Sequence, residues 1–155
     1  IIADKLVEQT GIIGEKIEIG NFQKLSGKYI GGYVHAGNKI ASLVALSDSL
    51  SFSEEVSKNV AMQVAAMNPL ALNENSVDSN IVDKETQIIK EQLIKEGRPE
   101  NIMASIIIGK LKRFYKDNTL VNQSYIKDSK ISVEDYVKSL DKDLSIKSFV
   151  RVSLV

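Results

Sequence analysis

At 155 residues and 43% hydrophobic, the chain can bury a core as one domain of ordinary size or two small ones, which argues against global disorder. Lys plus Arg and Asp plus Glu number 20 each, and this balance argues against a dedicated nucleic-acid binder and against docking on an anionic membrane. With no cysteine and one histidine, disulfides, thiolate catalysis and the usual zinc sites are removed, and no apolar run approaches the roughly 20 residues a membrane helix needs.

The chain opens with Ile1-Ile2-Ala3-Asp4, neither Met nor a signal-like segment, so the expectation is a fragment whose start lies upstream. Residues 1 to about 10 read as the end of a helix, with Ile2, Leu6 and Gln9 on one face and Gly11 as its stop. Glu15-Lys16-Ile17-Glu18-Ile19 alternates charge and bulk, which predicts a short strand. Lys28 to Val34 and Lys39 to Leu46 are β-rich. Between them lies His35-Ala36-Gly37-Asn38, and Gly and Asn tolerate positive φ, so the pair predicts a hairpin with a four-residue loop.

Ser51 with Glu54 has the spacing of a capping box, and Val56, Val60, Val64 and Met67 then recur on one helical face. Pro69 closes that helix, because Asn68 before it is pushed out of α geometry. Residues 73–80 are polar and turn-like. Two longer helices follow, about Ile81 to Glu96 and from Pro99 to about Tyr115. Val82, Ile89 and Leu93 form a stripe on the first, and Met103, Ile107, Leu111 and Phe114 on the second. The short link at Gly97-Arg98-Pro99 makes them antiparallel neighbours. Ser132 caps a last short helix bearing Val133, Val137 and Leu140. In a closing strand, Ile146, Val150, Val152 and Leu154 face one way and Lys147, Phe149 and Arg151 the other. The expected fold class is α+β: a small antiparallel sheet backed by helices, with an antiparallel helical hairpin inserted between its second and last strands.

Enzyme chemistry finds no support in these residues. There is no Gly-x-Ser-x-Gly elbow to turn His35 into part of a triad, no calcium-loop spacing among Asp78, Asp83 and Glu85, and no Walker lysine near Gly31-Gly32. No cofactor is expected. Lys110-Leu111-Lys112-Arg113 reads as a solvated helix end complementing the helix dipole, with RNA contact as the alternative. The hairpin stripe reads as core or as an oligomer seam. His35 stands between small residues at a loop tip, either idle on the surface or a contact that lets a partner backbone come close.

Several segments in order resemble one family. Ile13-Gly14-Glu15-Lys16-Ile17, Gly32-Tyr33-Val34-His35-Ala36-Gly37-Asn38-Lys39-Ile40 and Ala61-Met62-Gln63-Val64-Ala65-Ala66-Met67-Asn68-Pro69 are similar to stretches of translation elongation factor Ts. So are Lys84-Glu85, Gly97-Arg98-Pro99-Glu100, Gly109 to Phe114 with Leu120 and Gln123, and Phe149-Val150-Arg151-Val152. Gln63, Ala41 and Ser124 depart from the His, Gly and Pro frequent in that family.

The resemblance implies a guanine-nucleotide exchange factor that binds elongation factor Tu and promotes GDP release, with no bond-making chemistry of its own. It implies a cytoplasmic protein with no direct nucleic-acid or membrane partner. Residues 1–28 would be the tail of an N-terminal core half, residues 29–80 and 116–155 a C-terminal core half, and residues 81–115 an inserted hairpin subdomain. The family's leading helical domain and its Thr-Asp-Phe-Val wedge have no counterpart in this sequence. Tyr33, His35, Ala36, Gly37, Asn38 and Lys39 would meet the GTPase near its phosphate-binding loop. Val82, Ile89, Leu93, Met103, Ile107 and Leu111 would serve a homodimer through the hairpin. The alternative is a structural dimerisation or interaction module without exchange activity.

Overall fold

A computed structural model describes residues 1–48 and 50–154. Helix α1 (Ile2–Ile13) leads through an irregular stretch to strands β1 (Tyr29–Val34) and β2 (Ile40–Leu46). Helix α2 (Ser53–Met67), a 3-10 turn (Glu74–Ser76) and the helices α3 (Ser79–Lys95) and α4 (Glu100–Asn118) come next. The short strands β3 (Ser124–Tyr125) and β4 (Asp128–Ser132), helix α5 (Val133–Leu140) and strand β5 (Ile146–Ser153) complete the order.

The antiparallel sheet runs β1-β2-β5, so the chain leaves the sheet after β2, builds the helical hairpin and returns to pair β5 beside β2. This is the expected α+β architecture. The two-stranded β3-β4 pair is an addition that the sequence did not announce.

One sheet face packs on α2. Val44, Leu46, Val56, Val60, Val64, Leu120, Tyr125, Val133, Val137, Leu144 and Ile146 form the buried core there. The approach is close at Gly31, where a Cβ would lie 1.9 Å from Ser57 Oγ, so only glycine lets the helix sit at this distance. Two polar contacts fix the same interface: the buried Ser42 Oγ donates to the Ala61 carbonyl at 2.6 Å, and Arg151 Nε donates to the Ala65 carbonyl at 3.3 Å. Gln63, fully buried, donates to Gln123 Oε1 and the Ser124 carbonyl and accepts from the Ile126 N–H, which satisfies its amide completely.

The opposite sheet face carries Ile30, Gly32, Val34, Leu43, Val150 and Val152, and residues 20–28 run across part of it with Gly27 against Ala45. Facing along β5 departs from strict alternation. The register slips by one residue between Ala45 and Leu46, and this bulge puts Ile146 on the same side as Phe149 and Arg151, opposite Val150 and Val152.

Several local expectations are corrected. Gly11 does not stop α1; the helix continues to Ile13, and Gly14 ends it at φ 79°, its N–H on the Thr10 carbonyl. Residues 15–19 form no strand, because no sheet edge lies alongside to pair with their backbone. The Ser51–Glu54 capping box does not form: Ser51 lies in a turn, and Ser53 Oγ instead accepts the Leu50 N–H at 2.7 Å. Helix α3 starts earlier than expected, capped by the Asp78 carboxylate on the Asn80 N–H, and α4 runs on to Asn118.

Asn68 leaves right-handed α geometry before the buried Pro69, taking the left-handed conformation that asparagine tolerates. Between α3 and α4 the Arg98 N–H bonds the Leu93 carbonyl and the Gly97 N–H the Ile94 carbonyl, the paired bonds of a Schellman turn. At its base the hairpin is stitched to the body. Leu70 N–H bonds the Asn118 carbonyl, Leu120 N–H the Ala71 carbonyl and Val121 N–H the Leu72 carbonyl.

Candidate functional site

The β1-β2 connection projects a five-residue loop, His35 to Lys39, one longer than expected because Lys39 stays outside the ladder. Two hydrogen bonds close it: His35 N–H to the Ile40 carbonyl at 2.8 Å and Asn38 N–H to the His35 carbonyl at 3.0 Å. Gly37 at φ 90° and Asn38 at φ 56° make the reversal, in a backbone region most side chains avoid. Lys39 is held from behind, since its carbonyl accepts the Leu154 N–H at 2.8 Å. His35, Ala36, Gly37, Asn38 and Lys39 are all exposed.

Tyr33 differs from the loop residues. It sits opposite Ser42 in the ladder, half-buried, with its ring packed on the core. Its hydroxyl lies 3.1 Å from His35 Nδ1, and the two ring centroids are 6.0 Å apart at 55°. Residues i and i+2 of a strand share a face, which is why the tyrosine reaches the histidine. The spacing Tyr33-x-His35 is visible in the sequence, but the hydrogen bond needed the strand geometry to be known. The six residues predicted as one contact surface are thus brought together at one edge of the sheet: five exposed and one anchored.

The hairpin stripe is placed differently. Ile89, Leu93 and Met103 are buried against one another, with Ile107 and Leu111 packed around them. Val82 lies outside that cluster, half-buried near the base of α3. Within one chain these side chains form the seam between α3 and α4, because two helices joined by four residues bury their facing stripes first. The outer faces carry exposed Ile88, Ile94, Ile102 and Ile108 instead. At the basic end, Lys110 Nζ donates to Gln92 Oε1 at 3.4 Å and Arg113 Nε lies 3.6 Å from the Asp117 carboxylate.

Shifted titrations lie away from the loop. Burial, aided by the Tyr136 hydroxyl, pushes the Tyr125 phenol up, and its ring stacks on Tyr136 at 4.1 Å. Hydrogen bonds from the Ser132 hydroxyl and N–H hold the exposed Asp135 carboxyl below its ordinary value. Among the described residues, no group of three or more His, Asp or Glu could hold a metal ion, and no helix is long and apolar enough to cross a membrane. The geometry offers a loop of hydrogen-bonding groups on a sheet tied to α2.

The family model described as elongation factor Ts matches residues 1–155, the whole chain. Proteins named elongation factor Ts are similar throughout. The one from Christiangramia forsetii is 58% identical over 153 residues, covering 99% of this chain and 56% of its own length. The one from Flavobacterium psychrophilum is 57% identical with the same coverage, and that of Porphyromonas gingivalis 39% identical, covering 99% of this chain and 55% of its own. The chain therefore spans about 56% of the length of these relatives.

Proposed function

The chain belongs to the elongation factor Ts family, and from that premise we propose that it binds elongation factor Tu and promotes release of its GDP, making and breaking no covalent bond. The observation that carries this reading is the loop His35 to Lys39: exposed, closed by its own backbone hydrogen bonds, and tied at Lys39 to Leu154 just past β5.

A partner that prefers the nucleotide-free GTPase must weaken nucleotide affinity by the same factor with which nucleotide weakens its own binding. A stiff loop pressed toward the GTPase phosphate loop would displace backbone amides that hold the nucleotide phosphates. Small residues at Ala36 and Gly37 permit that approach. Asn38 and Lys39 border it, and Tyr33 stands behind His35. We place this role in the cytoplasm.

In this reading residues 1–28 belong to a preceding core half, 29–80 and 116–155 form the half that carries the loop, and 81–115 is an inserted hairpin. The resemblance puts the family's wedge outside these 155 residues. The chain alone is therefore expected to bind weakly and to speed GDP release less than a full-length relative. Retention on nucleotide-free elongation factor Tu, with and without excess GDP, tests the linkage directly: equal retention in both conditions would remove it. His35→Ala is expected to weaken binding by about 1–2 kcal/mol while unfolding shifts by less than about 0.5 kcal/mol, as for an exposed contact residue.

A second reading, self-association through the hairpin, is favoured by the isoleucines exposed on its outer faces. The seam residues Ile89, Leu93 and Met103 would support such a dimer from within, by keeping the hairpin straight, since their own surfaces are already covered.

A further inference from the structure

We infer that Tyr33 is a positioning residue for His35, and that it leaves the imidazole presenting a single hydrogen-bond donor, Nε2–H, to an acceptor oxygen on the partner. The inference rests on the proposed function for its partner and on the hairpin geometry for everything else.

The Tyr33 hydroxyl and His35 Nδ1 are 3.1 Å apart, within hydrogen-bond range. A phenolic O–H is a stronger donor than a neutral imidazole N–H, and an imidazole nitrogen is a stronger acceptor than a phenolic oxygen, so the bond runs from tyrosine to histidine. Nδ1 is then occupied as an acceptor, and in the neutral ring the proton must sit on Nε2. A neutral imidazole in water can donate or accept at its outer nitrogen according to tautomer. Here one of those options is removed, and what remains is a donor suited to a carbonyl or carboxylate oxygen.

The tyrosine can do this because it is anchored. Its ring packs on the core beside Ser42, which is tied to the α2 carbonyl of Ala61 at 2.6 Å. The loop beyond it is closed by His35 N–H on the Ile40 carbonyl. The Tyr33 ring and the His35 backbone are thus both fixed to the same sheet, and the hydroxyl contact reduces the imidazole freedom lost when a partner docks.

The test uses the whole chain and separates the ring geometry from the partner contact. The imidazole nitrogen shifts of the free protein, with the ring neutral, are expected to show Nε2 protonated and Nδ1 bare. Tyr33→Phe keeps the packed ring and removes the hydroxyl. It is expected to move those shifts toward a tautomer mixture and to weaken binding to nucleotide-free elongation factor Tu about threefold to fivefold, the size of one neutral hydrogen bond. The double variant with His35→Ala should bind no worse than His35→Ala alone, because Tyr33 acts only through the histidine.

Imidazole shifts indifferent to Tyr33, or additive losses in the double variant, overturn the positioning role. If His35→Ala weakens binding all the same, the proposed function survives that failure. If instead His35→Ala binds like the unmodified chain while the shifts still follow Tyr33, the presented donor has no recipient and the inference fails together with the loop's part in the proposed function.

Discussion

The sheet with α2 and the α3–α4 hairpin both bury aliphatic side chains, but with different redundancy. Around α2 the apolar core is continuous from Val44 to Ile146, and buried polar contacts from Ser42 and Gln63 add direction to it. The hairpin has a single thin seam of Ile89, Leu93 and Met103, and most of its remaining surface is exposed. Apolar burial is non-directional, so a seam permits sliding and opening that hydrogen-bonded pins do not. The proposed contact loop grows from the pinned region. A loop that must push on a partner needs a support that does not yield, whereas a protruding arm does not.

That contrast can be broken experimentally, and the largest effect belongs to the pinned region. Gly31→Ala drives a methyl into Ser57, and with β1 and α2 both held there is nowhere to relax; a loss of about 3 kcal/mol in urea unfolding is expected from such overpacking. A change under about 0.5 kcal/mol, the scale of an ordinary surface substitution, would mean that the helix can move off the sheet after all.

Leu93→Ala comes second, at about 2–3 kcal/mol, the low end for a buried leucine because the thin seam can collapse around the space. Its sharper signature is local. Amide exchange should speed up in α3 and α4 while the β2 amides stay protected. Equal loss of protection in both would show one cooperative unit rather than two regions.

The smallest effect is electrostatic and lies on the solvent side of α5, at the margin of the pinned region. Asp135 is held below its ordinary value of 3.8, chiefly by the Ser132 hydroxyl. A carboxyl with a lowered folded pKa adds stability above its unfolded value, and that stability is lost as pH falls through the folded value. Asp135→Asn should therefore lower the Tm slightly at neutral pH and flatten its decline below about pH 4, near the ordinary carboxylate range. An unchanged acid slope would show that the capping carboxylate is not titrating as a partner of Ser132.

Local signals carried the helices and the hairpin far. Periodic valines marked α2, Gly97 and the prolines marked the links, and Gly37-Asn38 marked the reversal that carries His35. These succeed because they depend on φ, ψ and side-chain period within a few residues. Two of the failures share a long-range cause. The alternation at residues 15–19 lacked a partner strand, and the alternation in β5 was reset by a bulge. Each depended on what lay across a gap in space.

The same division runs through the site. Sequence by itself determined the composition of the loop, its small residues, its lone imidazole and its membership in a family, all of which are local chemistry or order along the chain. Tertiary structure decided that the Tyr33 ring is anchored on the core, that Gly31 lets α2 stand close behind, and that Lys39 is braced by Leu154, just past the last strand. Those contacts join segments up to more than a hundred residues apart, Lys39 to Leu154 among them, and they follow from strand order and packing distance, which no local pattern encodes.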